Sequence, residues 1–292
     1  MTGDEETDRR GTAVLAGVDG SGEALTAVRW AAYEAALRGC ELRILHVVPD
    51  AVHHGEPYGI RTVLLDAERA AVDARPGLQV RTDAVSGHPA ERLIAGARSA
   101  GLLVVGRRGR GAVADLLLGS VSRAVAGRAT VPTVAVDAPV IPESAVVVGT
   151  DGSAHAARAM DFAFDEARLR DARLIVVYAL PSPIPRPQSE LVPHYEPAVE
   201  PAAAREWLAR WSAPWSRRHP GIEVTHQVRT GPAADVMCDV AGSGALLVVG
   251  SRGRGTVKSL LLGSVSLGVL HRHSGAVAVI GTGAGDVPHP GT

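Results

Sequence analysis

LLVVGRRGRGAVADLLLGSVS (residues 102–122) and LLVVGSRGRGTVKSLLLGSVS (residues 246–266) are one pattern written twice. In each copy four apolar residues run into a glycine, a second glycine follows after two residues, and Gly-Ser follows after nine more. The fixed positions are Gly106, Gly109, Gly119 and Ser120, and again Gly250, Gly253, Gly263 and Ser264. A buried strand that ends in glycines beside a helix start is how α/β proteins hold phosphate. Chance does not reproduce such spacing at an offset of 144 residues, so the repeated stretch is read as the functional centre.

Outward from it, strand-like and helix-like stretches alternate. Residues 12–18 form an apolar run of strand length stopped by Asp19-Gly20-Ser21. A helix is expected over 23–38, with Leu25, Val28, Ala32 and Ala35 on one face and Gly39 as its stop. Residues 42–48 read as a second strand, 50–61 as a loop, 62–74 as a helix and 78–85 as a more polar strand near an edge. A helix over 89–100, a strand over 102–105, a helix over 120–129 and a strand over 131–136 complete the first half. Pro132 within the last strand implies an edge or a strand start.

The second half repeats the first. Residues 145–151 match 13–19 and 174–181 match 42–49 at an offset of 132; from Ile222 onward the offset is 144. The difference is an insertion of 12 residues in the proline-rich stretch 181–201, which reads as an exposed loop. The expected domains are 1–139 and 144–283, joined by a short proline-containing link that brings them into contact. Alternation with continuously apolar strands implies an α/β fold with a parallel sheet covered on both faces. Ligands of such sheets sit beyond the carboxyl ends of the strands, where strand order reverses. If the fourth strand neighbours the first, each half has the order 3-2-1-4-5 and Asp19 faces the glycine motif.

Composition narrows the function. A chain of 292 residues with 46% hydrophobic and 3% aromatic content can fill two cores of Val, Leu, Ile and Ala. A net charge of −1 gives no electrostatic footprint for nucleic acid or an anionic membrane. Lys258 is the only lysine, and no G-x4-G-K-[ST] phosphate loop occurs. Cys40 and Cys238 lack metal or redox spacing and read as buried free thiols. The charged N-terminus is not expected to act as a signal peptide, and no apolar run approaches the ~20 residues of a membrane span. A cytoplasmic location is expected.

An ATP-type ligand needs backbone N–H groups near its phosphates, and Gly119-Ser120 at a helix start offers them with the positive end of the helix dipole. Arg107, Arg108 and Arg110, and in the second copy Arg252 and Arg254, add positive charge beside the loop. Asp19 and Asp151 would otherwise cap the following helices, but Ser21 and Ser153 compete for that task, which leaves the carboxylates for a ligand.

VDGS (18–21) and TDGS (150–153), taken with the two glycine runs, make the chain resemble the universal stress protein family in its tandem-domain, ATP-binding form. The resemblance implies a five-stranded parallel sheet per domain, pairing of the domains as a pseudo-dimer through their last strands, and one ATP per domain. It places Gly17, Val18 and Asp19 beside the ribose and phosphates, and Val47 against adenine through its backbone. Gly106, Arg107, Arg108, Gly109, Arg110 and Gly111 with Gly119, Ser120 and Val121 would hold the phosphates. In the second domain the matching positions are Gly149, Thr150, Asp151, Ala179, Gly250, Ser251, Arg252, Gly253, Arg254, Gly255, Gly263, Ser264 and Val265. Mg2+ is expected on the phosphates, but no protein metal site and no catalytic residue.

The implied role is a stress-response regulator working by nucleotide-dependent conformation or by contact with a protein partner. A slow ATPase and an assembly scaffold with vestigial sites are the alternatives, and further pairing of chains is left open. The two copies differ where Arg107 faces Ser251, a change expected to crowd or strengthen the first phosphate loop. His271 and His273 read as a solvated helix end, Trp207, Trp211 and Trp215 as core packing, and Pro214 as a kink or stop in its helix.

Overall fold

The computed structural model describes residues 13–49, 57–109, 118–139, 141, 144–181, 200–253 and 262–281. In the first half β1 (Val14–Val18), α1 (Gly22–Arg38), β2 (Leu42–Val48), α2 (Pro57–Ala74), β3 (Val80–Ser86), α3 (Pro89–Ala97), β4 (Leu102–Gly106), α4 (Ser120–Arg128) and β5 (Thr133–Val136) follow one another. The second half gives β6 (Val146–Gly149), α5 (Ala154–Arg170), β7 (Leu174–Leu180), α6 (Pro201–Arg218), β8 (Val224–Thr230), α7 (Ala233–Ala241), β9 (Leu246–Gly250), α8 (Ser264–Arg272) and β10 (Ala276–Ile280).

All ten strands join one sheet in the order β3-β2-β1-β4-β5-β10-β9-β6-β7-β8. Each half therefore carries the expected order 3-2-1-4-5, and every pairing within a half is parallel. The halves meet where β5 and β10 pair antiparallel, Val136 opposite Ala276 and Thr133 opposite Val279. Burial explains the order. β1 and β4 are buried at every residue, as strands covered on both faces must be. The more polar β3 and β8 are only partly buried and lie at the two outer edges.

One face of the sheet has a continuous apolar core across both halves. Val14, Leu102 and Val134 from the first half join Val148, Leu246 and Ala278 from the second, under Ala31, Met160 and Phe164 of the helices. Each fully buried Leu or Phe there contributes about 1.5–3 kcal/mol. Where α1 meets α5, Glu34 and Glu166 are wholly buried and accept hydrogen bonds from both Arg38 and Arg170. The pairs lie 132 residues apart, so the repeat builds a closed ionic quartet about its pseudo-twofold axis.

Ser21 and Ser153 cap α1 and α5 by accepting from the Ala24 and Ala156 N–H groups. The first of these helices ends at Gly39 with φ +64, the left-handed stop that glycine favours; the second ends at Asp171 with φ +50.

The structure changes several expectations. α2 begins at Pro57, inside the stretch read as a loop, because proline is tolerated in a first helical turn. Of the two places expected for Pro132 the strand start holds, since it stands immediately before β5, and the edge does not, since β5 is interior to the joined sheet. α6 runs through Pro214 to Arg218. There Trp207, Trp211 and Trp215 stack in succession, starting from Tyr178 on β7, and this packing outweighs one missing backbone hydrogen bond. The insertion falls mostly on 182–199, outside the described residues. Cys40 and Cys238 are half-buried rather than buried.

Candidate functional site

The sheet order brings the carboxyl ends of β1 and β4 side by side, Gly17 opposite Val105. The chain leaves β1 at Asp19, whose Oδ1 accepts from the Ser21 N–H at 3.0 Å and from Ser21 Oγ at 2.6 Å. Ser21 Oγ in turn accepts from Ala24 N–H at 3.2 Å. The serine caps the helix, as the sequence suggested, but one oxygen of the aspartate is taken up in shaping the turn, where the sequence left the carboxylate to a ligand. The second half repeats it, with Asp151 Oδ1 accepting from Ser153 N–H at 2.9 Å.

The other carboxylate oxygen meets the glycine motif. A Cβ on Gly109 would collide with Asp19 Oδ2, and one on Gly253 would stand 2.6 Å from Asp151 Oδ2. Neither glycine has a left-handed φ; what is required is close approach of the two segments. Gly106 and Gly250 are needed for another contact. A Cβ there would lie 3.0 Å from the Glu23 carbonyl carbon and 2.9 Å from that of His155, so each strand end presses on the first turn of α1 or α5.

Each motif closes on itself. Gly119 N–H donates to Arg107 O at 2.9 Å and Gly263 N–H to Ser251 O at 2.8 Å. Ser122 Oγ donates to Gly106 O at 2.7 Å and Ser266 Oγ to Ser251 O at 3.0 Å. These serines went unread in the sequence, although the repeated Gly-Ser-Val-Ser contains them. Gly119 and Gly263 are the N-caps of α4 and α8, with no side chain capping either helix. Ser120 and Ser264 stand exposed at those helix starts, with Val121 and Val265 half-buried behind them. Arg108 Nε and Arg252 Nε are buried and meet no acceptor among the described residues. A buried donor without an acceptor costs about 1–3 kcal/mol, and two of them at matching places beside open helix N-termini suit an anion.

On the β2 side, Val18 O accepts from His46 Nδ1 at 2.8 Å, and Val47 is buried opposite Val85. Thr150 and Ala179 occupy the corresponding places in the second half; Thr150 Oγ1 accepts from Gly152 N–H at 3.0 Å. Gly149 ends β6 under Met237 of α7 as Gly17 lies under Leu93 of α3. Arg110, Gly111, Arg254 and Gly255 lie outside the described residues. No group of three or more His, Cys, Asp or Glu side chains suited to a metal occurs among the described residues.

Arg107 points elsewhere. Its guanidinium is buried at the β5–β10 seam, where it pairs with Asp137 and donates to the His273 carbonyl of the other half. It ties the base of the first loop to the second domain rather than crowding the crevice, and burial pushes its proton affinity down against the pull of Asp137. Asp137 is matched by Gly281 and Arg107 by Ser251, so the second loop lacks this tie. His273 is 2% exposed, which corrects its reading as a solvated helix end. One crevice residue went unread as well: His155, where the first copy has Glu23.

Comparison with known proteins bears on the family and the fold. Residues 12–137 and 144–281 each match the Universal stress protein family. Universal stress protein Rv2005c of Mycobacterium tuberculosis is 34% identical over 285 residues, an alignment covering 90% of this chain and 95% of the relative. A universal stress protein from Archaeoglobus fulgidus superposes with a TM-score of 0.67 at 20% identity, covering 94% of this chain and 97% of that one. A universal stress protein solved in complex with cAMP is similar to 42% of this chain at 28% identity; its TM-score of 0.36 is too low to speak for the ligand here. With the family matched in both halves and the doubled glycine motif in place, the chain belongs to the universal stress protein family, in two tandem copies.

Proposed function

We propose that the protein is an ATP-binding regulator of a stress response, with one nucleotide in each domain, 1–139 and 144–283. The observation that carries the reading is the doubled crevice: an aspartate against a glycine loop, an uncapped helix start, and a buried arginine Nε without an acceptor among the described residues, present in both halves.

Gly17, Val18 and Asp19, with Gly149, Thr150 and Asp151, border the ribose and phosphates, and Val47 and Ala179 meet adenine along the backbone. The motif residues Gly106 to Gly111 and Gly250 to Gly255 cradle the phosphates with Gly119, Ser120, Val121, Gly263, Ser264 and Val265, Arg107 contributing through its main chain. Asp19 and Asp151 are the carboxylates at the two loops, so Mg2+ would be held chiefly by phosphate oxygens with one aspartate assisting. The ion would neutralise phosphate charge. Occupancy acts through domain packing or a protein partner in the cytoplasm. Among the described residues no helix is long and apolar enough to cross a membrane.

Titration calorimetry with Mg-ATP tests the reading. Two sites per chain are expected, and Gly109→Ala and Gly253→Ala should each remove one by pushing Asp19 or Asp151 off its turn. No heat from a folded wild-type chain would leave only an assembly role.

A further inference from the structure

The two crevices are built alike but charged differently. At positions 132 apart the first has Glu23 and Thr26 where the second has His155 and Arg158. Glu23 and His155 lie on the first turns of α1 and α5, against the strand ends at Gly106 and Gly250, and Thr26 and Arg158 follow three residues later. Thr26 Oγ1 is spent on its own helix, donating to Gly22 O at 3.1 Å. Arg158 leans toward the far side of the second motif, where its Nη1 donates to Gly281 O at 3.5 Å. His155 Nε2 is buried and meets no partner among the described residues, as is Arg252 Nε beside it.

The charges that face the imidazole are Arg252 from the glycine loop, Arg158 from its own helix and Asp151 from the turn after β6. Burial and the two guanidiniums hold its proton affinity below the ordinary value, against Asp151. The second crevice thus has two buried donors that meet no acceptor among the described residues, with Arg158 behind them. The first loop has Arg107 Nε and Arg108 Nε, but both guanidiniums pair with Asp137 at the seam, Arg108 Nη2 at 3.7 Å, and Glu23 stands at the place of His155.

We propose that the two crevices are graded by charge: the second selects the longer phosphate chain, with His155 Nε2 donating to a phosphate oxygen, and the first, with Glu23 in that place, does not. This rests on the nucleotide reading above. Each added phosphate brings negative charge that His155, Arg158 and Arg252 attract and Glu23 repels. Phosphate at Nε2 also favours the imidazolium, which turns a neutral contact into a charge-assisted one.

The test uses full-length Gly109→Ala, which keeps the second crevice, and Gly253→Ala, which keeps the first. Each is titrated with Mg-ATP and with AMP. The preference for ATP over AMP should be about ten-fold greater in the second crevice, the worth of one charge-assisted hydrogen bond. His155→Glu added to Gly109→Ala should abolish the difference, and Glu23→His added to Gly253→Ala should create it. Equal preferences in the two crevices, with both nucleotides bound, would overturn the grading and leave nucleotide binding intact. Failure of either nucleotide to bind any folded variant or the wild type would overturn both readings.

Discussion

Replacing Glu34 by alanine should cost the protein about 3–5 kcal/mol. Glu34 and Glu166 have no exposed side-chain surface, and Arg170 has 6%. In the quartet each carboxylate accepts from both guanidiniums, so charge and hydrogen bonds balance without water. Removing one carboxylate leaves buried Arg170 and part-buried Arg38 sharing a single partner, and breaking buried ion pairs from one side costs about 3–5 kcal/mol. That is a large share of the roughly 5–15 kcal/mol that holds a typical protein folded. Replacing all four side chains together by leucine and methionine should be nearly neutral, because no charge is then stranded. Urea denaturation followed by tryptophan fluorescence reads both, since Trp30 lies 5.7 Å from the Arg170 guanidinium carbon. A loss under about 1 kcal/mol for Glu34→Ala would refute the argument, because it is the value of a solvated surface pair.

Other perturbations address other parts of the architecture. Arg107→Ser, which copies the second loop into the first, should destabilise the chain by about 2 kcal/mol by stranding Asp137 and the His273 carbonyl at the seam, seen as a lower urea midpoint. Asp171→Gly should stabilise by about 0.5 kcal/mol, since φ +50 suits glycine, and would show as a small rise in Tm. His273 is buried and its proton affinity is pushed below the ordinary 6.5 by that burial. A depressed value adds stability above about pH 6.5 that is lost as pH falls through the folded-state value. Midpoints measured from pH 7 to 5 should therefore fall, and fall less steeply in His273→Gln.

The interior strands were legible because burial on both faces leaves an unbroken apolar run, as in β1 and β4; β2 has the bounds expected for it although Arg43 and His46 interrupt its run. The strand order followed from the repeat and from the crevice rule, and the seam through the last strands from the family resemblance. Ser21 could be read as the cap of α1 because its hydroxyl competes with Asp19 for that place, but the hydrogen bonds from Ser21 to Asp19 Oδ1 were not legible. The quartet escaped notice, although Glu34-x3-Arg38 and Glu166-x3-Arg170 repeat at the same offset as the strands. Read singly, each is an ordinary surface pair on a helix, and only the pairing of the halves buries them. Arg107 was assigned to the phosphate loop by its neighbours in sequence. Its direction is set instead by Asp137 and by the far half of the molecule, which no local pattern contains. His155 is not legible from what the two copies share, because its information lies in where they differ.

The most direct measurement is to denature freshly purified protein and to identify and count the released nucleotide by chromatography. The account predicts adenine nucleotide approaching two molecules per chain, or the same stoichiometry after incubation with Mg-ATP and removal of the excess. A folded chain that carries none and takes up none would contradict it.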